Sequence, residues 1–246
     1  MSSLTGRTAL VTGGSRGIGA AIALRLAQDG ADVAITYVQG EEAAREVVAK
    51  VEAAGRRGFA IRADAADAGD AAGAVERAAD DLGRLDILVN NAGVGAVGPL
   101  ESVTLADVDR VLDVNVRAVF LASQAAAARM ARGGRIVSVG SCMAKRVPGP
   151  GGALYATSKA ALIGLTKALA RELGERGVTA NLVHPGPVDT DMNPADGPYA
   201  AAQAAGTALG RYGSPAEVAS LVAYLVGDEA AYVTGAELAV DGGHAA

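Results

Sequence analysis

The chain has 246 residues, half of them hydrophobic and 20% charged, with a net charge of −5 and no Trp. That length and apolar content suffice for one large α/β unit with a sizeable core. The acidic balance argues against a generalised nucleic-acid or anionic-membrane surface. Cys142 is the only cysteine, so no internal disulfide can form and a reducing cytoplasm is the expected location. The opening MSSLTGRTALVTGG lacks the basic segment and apolar run of a secretory signal. No stretch approaches ~20 uninterrupted apolar residues, so no membrane span is expected.

In chain order, short β-rich runs alternate with longer helical ones. TALVT is followed by the helical stretch GIGAAIALRLAQDG, DVAITY by EEAAREVVAKVEAAG, and FAIRA by AAGAVERAADDLG. DILVN precedes a long helix from about Leu105 to Met130; RIVSVG and VTANLVH precede helices starting near Ala153 and Pro215, and AELAV closes the series. Apolar strands alternating with helices predict an α/β, doubly wound Rossmann fold: a seven-stranded, mostly parallel sheet with helices on both faces. No linker divides the chain, so residues 1–246 are read as one domain. Pro148–Gly152 and Pro187–Gly213 follow strands and are expected to be active-site loops, because open α/β sheets bind ligands at that end. No spacing of His, Cys and carboxylates suggests a metal site.

The first strand runs into TGGSRGIG, which places Gly13, Gly17 and Gly19 at a strand-to-helix turn together with Ser15, Arg16 and Ile18. Such a turn lets the backbone approach a pyrophosphate, and the helix N-terminus offers free N–H groups to it. The second strand ends at Tyr37, followed by Val38, Gln39 and Gly40, with no acidic residue there to take a ribose 2′-hydroxyl. Glu41 and Glu42 come later, in the first turn of the next helix, where the dipole favours them. Arg16 could pair with a 2′-phosphate, so the expected cofactor is NADP(H) rather than NAD(H).

These motifs, with NNAG at 90–93, Asn115, Ser141, YATSK at 155–159 and HPGPVDT at 184–190, resemble the short-chain dehydrogenase/reductase family over essentially the whole chain. Within it the chain is most similar to β-ketoacyl-acyl-carrier-protein reductases and related carbonyl reductases. The resemblance implies that Asp64 contacts the adenine, and that Asn90, Asn91, Ala92 and Gly93 shape the end of the fourth strand beside the cofactor. It also implies that Pro185, Gly186, Val188 and Thr190 line the nicotinamide side. The family's Ser after the second strand has no clear match here.

Reducing a ketone by hydride needs a proton donor for the developing alkoxide. Tyr155 is the expected acid, and Lys159, four residues on, shares its helix face, where an ammonium is expected to lower the phenol pKa. By resemblance Lys159 also holds the nicotinamide ribose. Ser138 and Ser141 both follow from RIVSVG; Ser138 lies inside the strand and Ser141 just past it. Ser141 precedes Tyr155 by one residue more than the usual family separation, which would select Cys142, but a thiol is a poor donor to a carbonyl oxygen. Ser141 is the choice. Asn115 sits inside a long apolar helix, where an amide holds a kink or serves the chemistry; the resemblance implies both, a local distortion that positions a water relaying protons to Lys159. His184 is expected to order a loop rather than to catalyse.

The expected reaction is NADPH-dependent reduction of a ketone, such as a 3-oxoacyl thioester, to a secondary alcohol. The alternatives are a dehydrogenase for a sugar, polyol or other alcohol, and a cofactor-sensing protein without catalysis. Arg129, Arg132 and Arg171 are candidates for docking an acidic acyl carrier protein, although a solvated helical face explains them more simply. Small residues in SQAAAA and AALIGLTKALA, together with the resemblance, point to a homotetramer.

Overall fold

The structure, a computed structural model, describes residues 3–95 and 97–246. Seven strands form one sheet in the order β3-β2-β1-β4-β5-β6-β7. They are β1 Thr8–Val11, β2 Asp32–Tyr37, β3 Gly58–Arg62, β4 Ile87–Asn90, β5 Arg135–Val139, β6 Thr179–Pro185 and β7 Glu237–Val240. Every pairing is parallel, which sharpens the expected "mostly parallel" sheet. The strand order reverses between β1 and β4, and the loops leaving their C-terminal ends open the crevice where such sheets take ligands.

The strand side chains divide between two cores, as a period of two requires. Ala9, Val11, Val33, Ile35, Ile87, Val89, Val137 and Val139 pack on one face with helices α1 (Gly17–Gln28), α2 (Glu41–Ala53) and α8 (Pro215–Val226). The intervening Leu10, Ala34, Leu88 and Ile136 pack on the other face, against α3 (Ala68–Leu82), α5 (Ala118–Arg129) and the end of α6 (Ala153–Leu173). Alanines at 74, 78, 79, 122 and 126 fill the α3–α5 seam, so the alanine-rich helices close on one another with little bulk.

The ends of the helices follow local chemistry. Asp67 accepts the Asp70 amide and starts α3 three residues before the sequence reading placed it. Thr104 and Ser214 each form a capping box, with Asp107 and Glu217. The long helix expected from Leu105 to Met130 is not one regular helix: α4 (Leu105–Leu112) passes into a π-turn at Asp113–Arg117 before α5 begins. Leu105–Arg129 is, by length and composition, apolar enough to cross a membrane. Here Val111, Val114, Val119, Ala122 and Ala126 are buried within the fold. Pro187–Gly213 carries a short helix, α7 (Ala200–Ala205), that the sequence reading left as loop.

Candidate active site

Four loops converge at the C-terminal edge of the sheet. The first is the glycine turn after β1. Gly13 and Gly17 have φ of 62° and 53°, a region that favours glycine. A Cβ at Gly19 would collide with Gly13 O and Asn91 Nδ2. The Asn91 amide holds the turn from the next loop by donating to Thr12 O at 2.9 Å and Gly13 O at 3.0 Å. Arg16, at the N-cap of α1, makes no side-chain cap, so the first amides of that helix are left for an anion. These features fit the pyrophosphate of a dinucleotide.

The remaining cofactor candidates lie around this turn. Ser15 and Ile18 are half-buried within it, and Arg16 is exposed, 3.9 Å from Asp191. Tyr37 ends β2 beside Gly40, whose φ of 76° opens α2 without a side-chain cap. Asp64 is exposed; one of its oxygens accepts the Ala66 amide at 2.9 Å. Ala92 lies against Gly13, and Thr190 against Gly17, so the loops after β4 and β6 both touch the turn. Val188 is buried and pairs with Gly213. Pro185 ends β6, and Gly186 packs so closely on the Asp241 backbone that a Cβ would stand 2.6 Å from its Cα.

The candidate catalytic groups meet at the N-terminus of α6. Lys159 is 4% exposed; its Nζ donates to Val139 O at 3.0 Å and lies over the Tyr155 ring, 5.8 Å from the centroid. Gly93 faces it, and a Cβ there would stand 3.2 Å from Nζ and 3.3 Å from Asn115 Oδ1. Burial alone pushes the ammonium pKa down from 10.5 to about 8. The expected effect on Tyr155 is not seen: its pKa lies above 10.0, because burial of the phenol outweighs a hydrogen bond with Ser141 that pulls it down. The helical spacing brings the cation to the ring as anticipated, but the dehydrated setting penalises the phenolate more.

Ser141 directly follows Gly140 at the end of β5; its Oγ accepts the Met143 amide at 3.2 Å, and its hydroxyl lies close enough to the Tyr155 phenol and the Cys142 thiol to pull the pKa of each down. Cys142 is buried, its thiol pushed up to about 11 chiefly by that burial. Ser138 instead points into the sheet, accepting from Asn90 at 3.3 Å. The three candidates thus differ in setting: Ser138 is hydrogen-bonded to Asn90 inside the sheet, the buried Cys142 thiol holds its proton, and the Ser141 hydroxyl lowers the Tyr155 pKa.

Asn115 lies in the π-turn and is fully buried. It donates to Val94 O and to Ser158 Oγ, both at 3.0 Å, and accepts the Val94 amide at 2.9 Å. The amide thus ties the loop after β4 to α6. Of the two sequence-based alternatives, the kink is observed, and Asn115 makes no direct bond to Lys159. His184 orders the Ser141 turn, with its Nδ1 donating to Ser141 O at 2.8 Å. Its partner Glu237, on β7, escaped the sequence reading because nothing local marks it. Arg129 is paired within the chain, to Glu76 at 2.6 Å and to Asp80.

The depressed Lys159 pKa sets a pH dependence of stability. Below pH 8 the folded and unfolded states both hold the proton, and the fold bears the whole desolvation penalty. Between about 8 and 10.5 the folded state sheds the proton first, so the penalty disappears as pH rises. Urea unfolding should show the parent gaining up to about 3 kcal/mol over that window relative to Lys159→Met. Parallel pH curves would contradict the assignment of an unpaired buried ammonium.

A family model described as "Enoyl-(Acyl carrier protein) reductase" matches residues 13–245. A short-chain dehydrogenase from Burkholderia cenocepacia J2315, solved in complex with NADP, superposes with a TM-score of 0.98 at 60% identity over 99% of each chain. The cyclic-di-GMP-binding biofilm dispersal mediator protein of Escherichia coli (strain K12) is 44% identical over 98% of each chain. A 3-oxoacyl-[acyl-carrier-protein] reductase of Staphylococcus aureus is 40% identical over 96% of this chain and 97% of its own. With the parallel sheet, the glycine turn and the Ser141–Tyr155–Lys159 grouping, these matches establish that the chain belongs to the short-chain dehydrogenase/reductase family.

Proposed function

We propose that this protein is an NADPH-dependent ketoreductase that converts a ketone to a secondary alcohol. The single observation carrying the reading is the convergence of Ser141, Tyr155 and the buried Lys159 beside a dinucleotide-shaped glycine turn. Bound NADPH would supply the hydride to the carbonyl carbon. Gly13, Gly17, Gly19 and the first amides of α1 would hold its pyrophosphate, and Arg16, exposed and only loosely paired with Asp191, would turn to the 2′-phosphate. Co-crystallised NADP in the 60% identical relative supports that choice.

The chain's own residues then divide the work. The Ser141 hydroxyl donates to the substrate oxygen and orients it. Tyr155 keeps its proton in the resting protein, as a general acid must, and delivers it from the phenol oxygen as the alkoxide forms. The Lys159 ammonium stabilises the phenolate left behind. Asn115 is a positioning residue that holds the loop after β4 against α6.

The loops around the site carry exposed apolar side chains, Val97, Leu100, Val147, Met192 and Tyr199. They favour an apolar ketone over a sugar or polyol. A 3-oxoacyl thioester fits that preference and the Staphylococcus relative's name. Pairing of Arg129 with Glu76 and Asp80 favours a freely diffusing substrate over one delivered by an acidic carrier. The Escherichia relative's name describes binding of a cyclic dinucleotide, but the complete Ser–Tyr–Lys set here favours catalysis over sensing alone. Phe120, half-exposed on α5, supports a homotetramer built on α5 and α6; light scattering that returned a monomer would remove that assembly.

The experiment is an NADPH-oxidation screen with 3-oxoacyl thioesters, simple ketones and diketones, run beside NADH. Ser141→Ala should slow the best substrate about 10²-fold while Ser138→Ala stays near the parent. Arg16→Ala should erase the preference for NADPH. NADPH binding without oxidation of any ketone would overturn the reading in favour of a sensor.

A further inference from the structure

His184 and Glu237 are absorbed into no step above, yet both are tied to the turn that carries Ser141. His184 is 2% exposed on β6, next to the end of β5, where Gly140 N donates to Val183 O. Its Nδ1 stands 2.8 Å from Ser141 O and 3.3 Å from Ser141 N; a carbonyl oxygen can only accept, so the shorter contact assigns the proton to Nδ1. That carbonyl also accepts the Ala144 amide at 3.0 Å, so it is held from two directions. Gly140 makes room for the ring: a Cβ there would lie 2.7 Å from Nδ1.

Glu237 grips the same turn from the other side. In the β6–β7 register Leu182 faces Glu237 and His184 faces Ala239, which sets Glu237 diagonal to His184 on one face of the sheet. Its Oε2 lies 3.6 Å from His184 Nε2 and pairs with Lys145, while Oε1 takes Lys167 of α6 at 2.8 Å. Lys145 closes the turn that Ser141 opens, with its amide donating to Cys142 O at 2.9 Å. Glu237 therefore reaches the turn through Lys145 at its finish and is anchored by Lys167 to the helix bearing Tyr155, while His184, whose Nε2 carries no proton in this tautomer, holds the start of the turn through Nδ1 alone. The two lysines hold the Glu237 carboxyl at about 2, ionised at any working pH.

We propose that His184 and Glu237 are positioning residues that fix the Ser141–Lys145 turn, and with it the hydroxyl that orients the substrate carbonyl. The inference rests on the role given to Ser141 under the proposed function, and it assigns to this chain a support that lies outside the Ser–Tyr–Lys–Asn group. Loosening the turn would misplace Ser141 Oγ without touching the glycine turn or Lys159.

Two measurements test it, the first without reference to activity. Hydrogen exchange of the Met143, Ala144 and Lys145 amides should accelerate at least about tenfold in His184→Ala and in Glu237→Ala, and return towards the parent in His184→Gln, which keeps an N–H for Ser141 O. The amides of residues 13–19 should not change. In the second, His184→Ala should lower kcat on the best ketone about tenfold with the NADPH Kd unchanged, and His184→Gln should restore most of it. On a Ser141→Ala background the His184→Ala loss should shrink below about twofold. Unchanged exchange in the turn, or an equal loss with and without Ser141, would overturn the proposal. If no ketone is reduced, the exchange data still decide the positioning role, while the reading of the enzyme fails separately.

Discussion

An ammonium buried without a carboxylate is the constraint around which the site is built. Among the described residues, Lys159 finds the Val139 carbonyl and the face of Tyr155 but no carboxylate. A salt bridge would have been simpler for stability, because burying a lone charge is costly. It would also have spent the charge that a phenolate needs. Its neighbours fit around it: a Cβ at Gly93 would crowd the ammonium at 3.2 Å, Asn115 bonds Val94 and Ser158, and β5 ends at Val139, whose carbonyl takes the ammonium.

The same dehydrated setting acts on the acid. Tyr155 holds its proton above the ordinary phenol range and Lys159 loses its own more readily, both because of burial. The two pKa values, nearly equal in free side chains, are thereby driven apart, which leaves the phenol as the group that keeps its proton until the reaction calls for it. Stability is given up locally for that purpose. The rest of the molecule, two apolar cores on a parallel sheet, is regular enough to bear it.

Much of this was legible in the sequence. The alternation of apolar strands with helices pointed to the doubly wound sheet, and the glycine spacing marked the turn that Gly13, Gly17 and Gly19 now form. Ser141 is preferred over Ser138 for its place past the strand end and over Cys142 because a thiol is a poor donor, both of which can be read from the sequence. The amide of Asn115 inside an apolar run hinted at a distortion there, but not at its form, a π-turn over Asp113–Arg117, which depends on the partners Val94 and Ser158 that only the fold supplies. The raised Tyr155 pKa was missed because helical spacing reports the neighbour but not the loss of water. Glu237 was invisible for another reason: its link to His184 spans two strands and depends on their register.

The most direct test of the central claim is the rate at which Tyr155→Phe oxidises pre-bound NADPH on mixing with the best ketone. The account predicts unchanged NADPH affinity and reduction slowed by about 10³-fold, since only the phenolic proton is removed. Reduction at the parental rate would show that the proton comes from elsewhere, and the buried ammonium would lose its purpose.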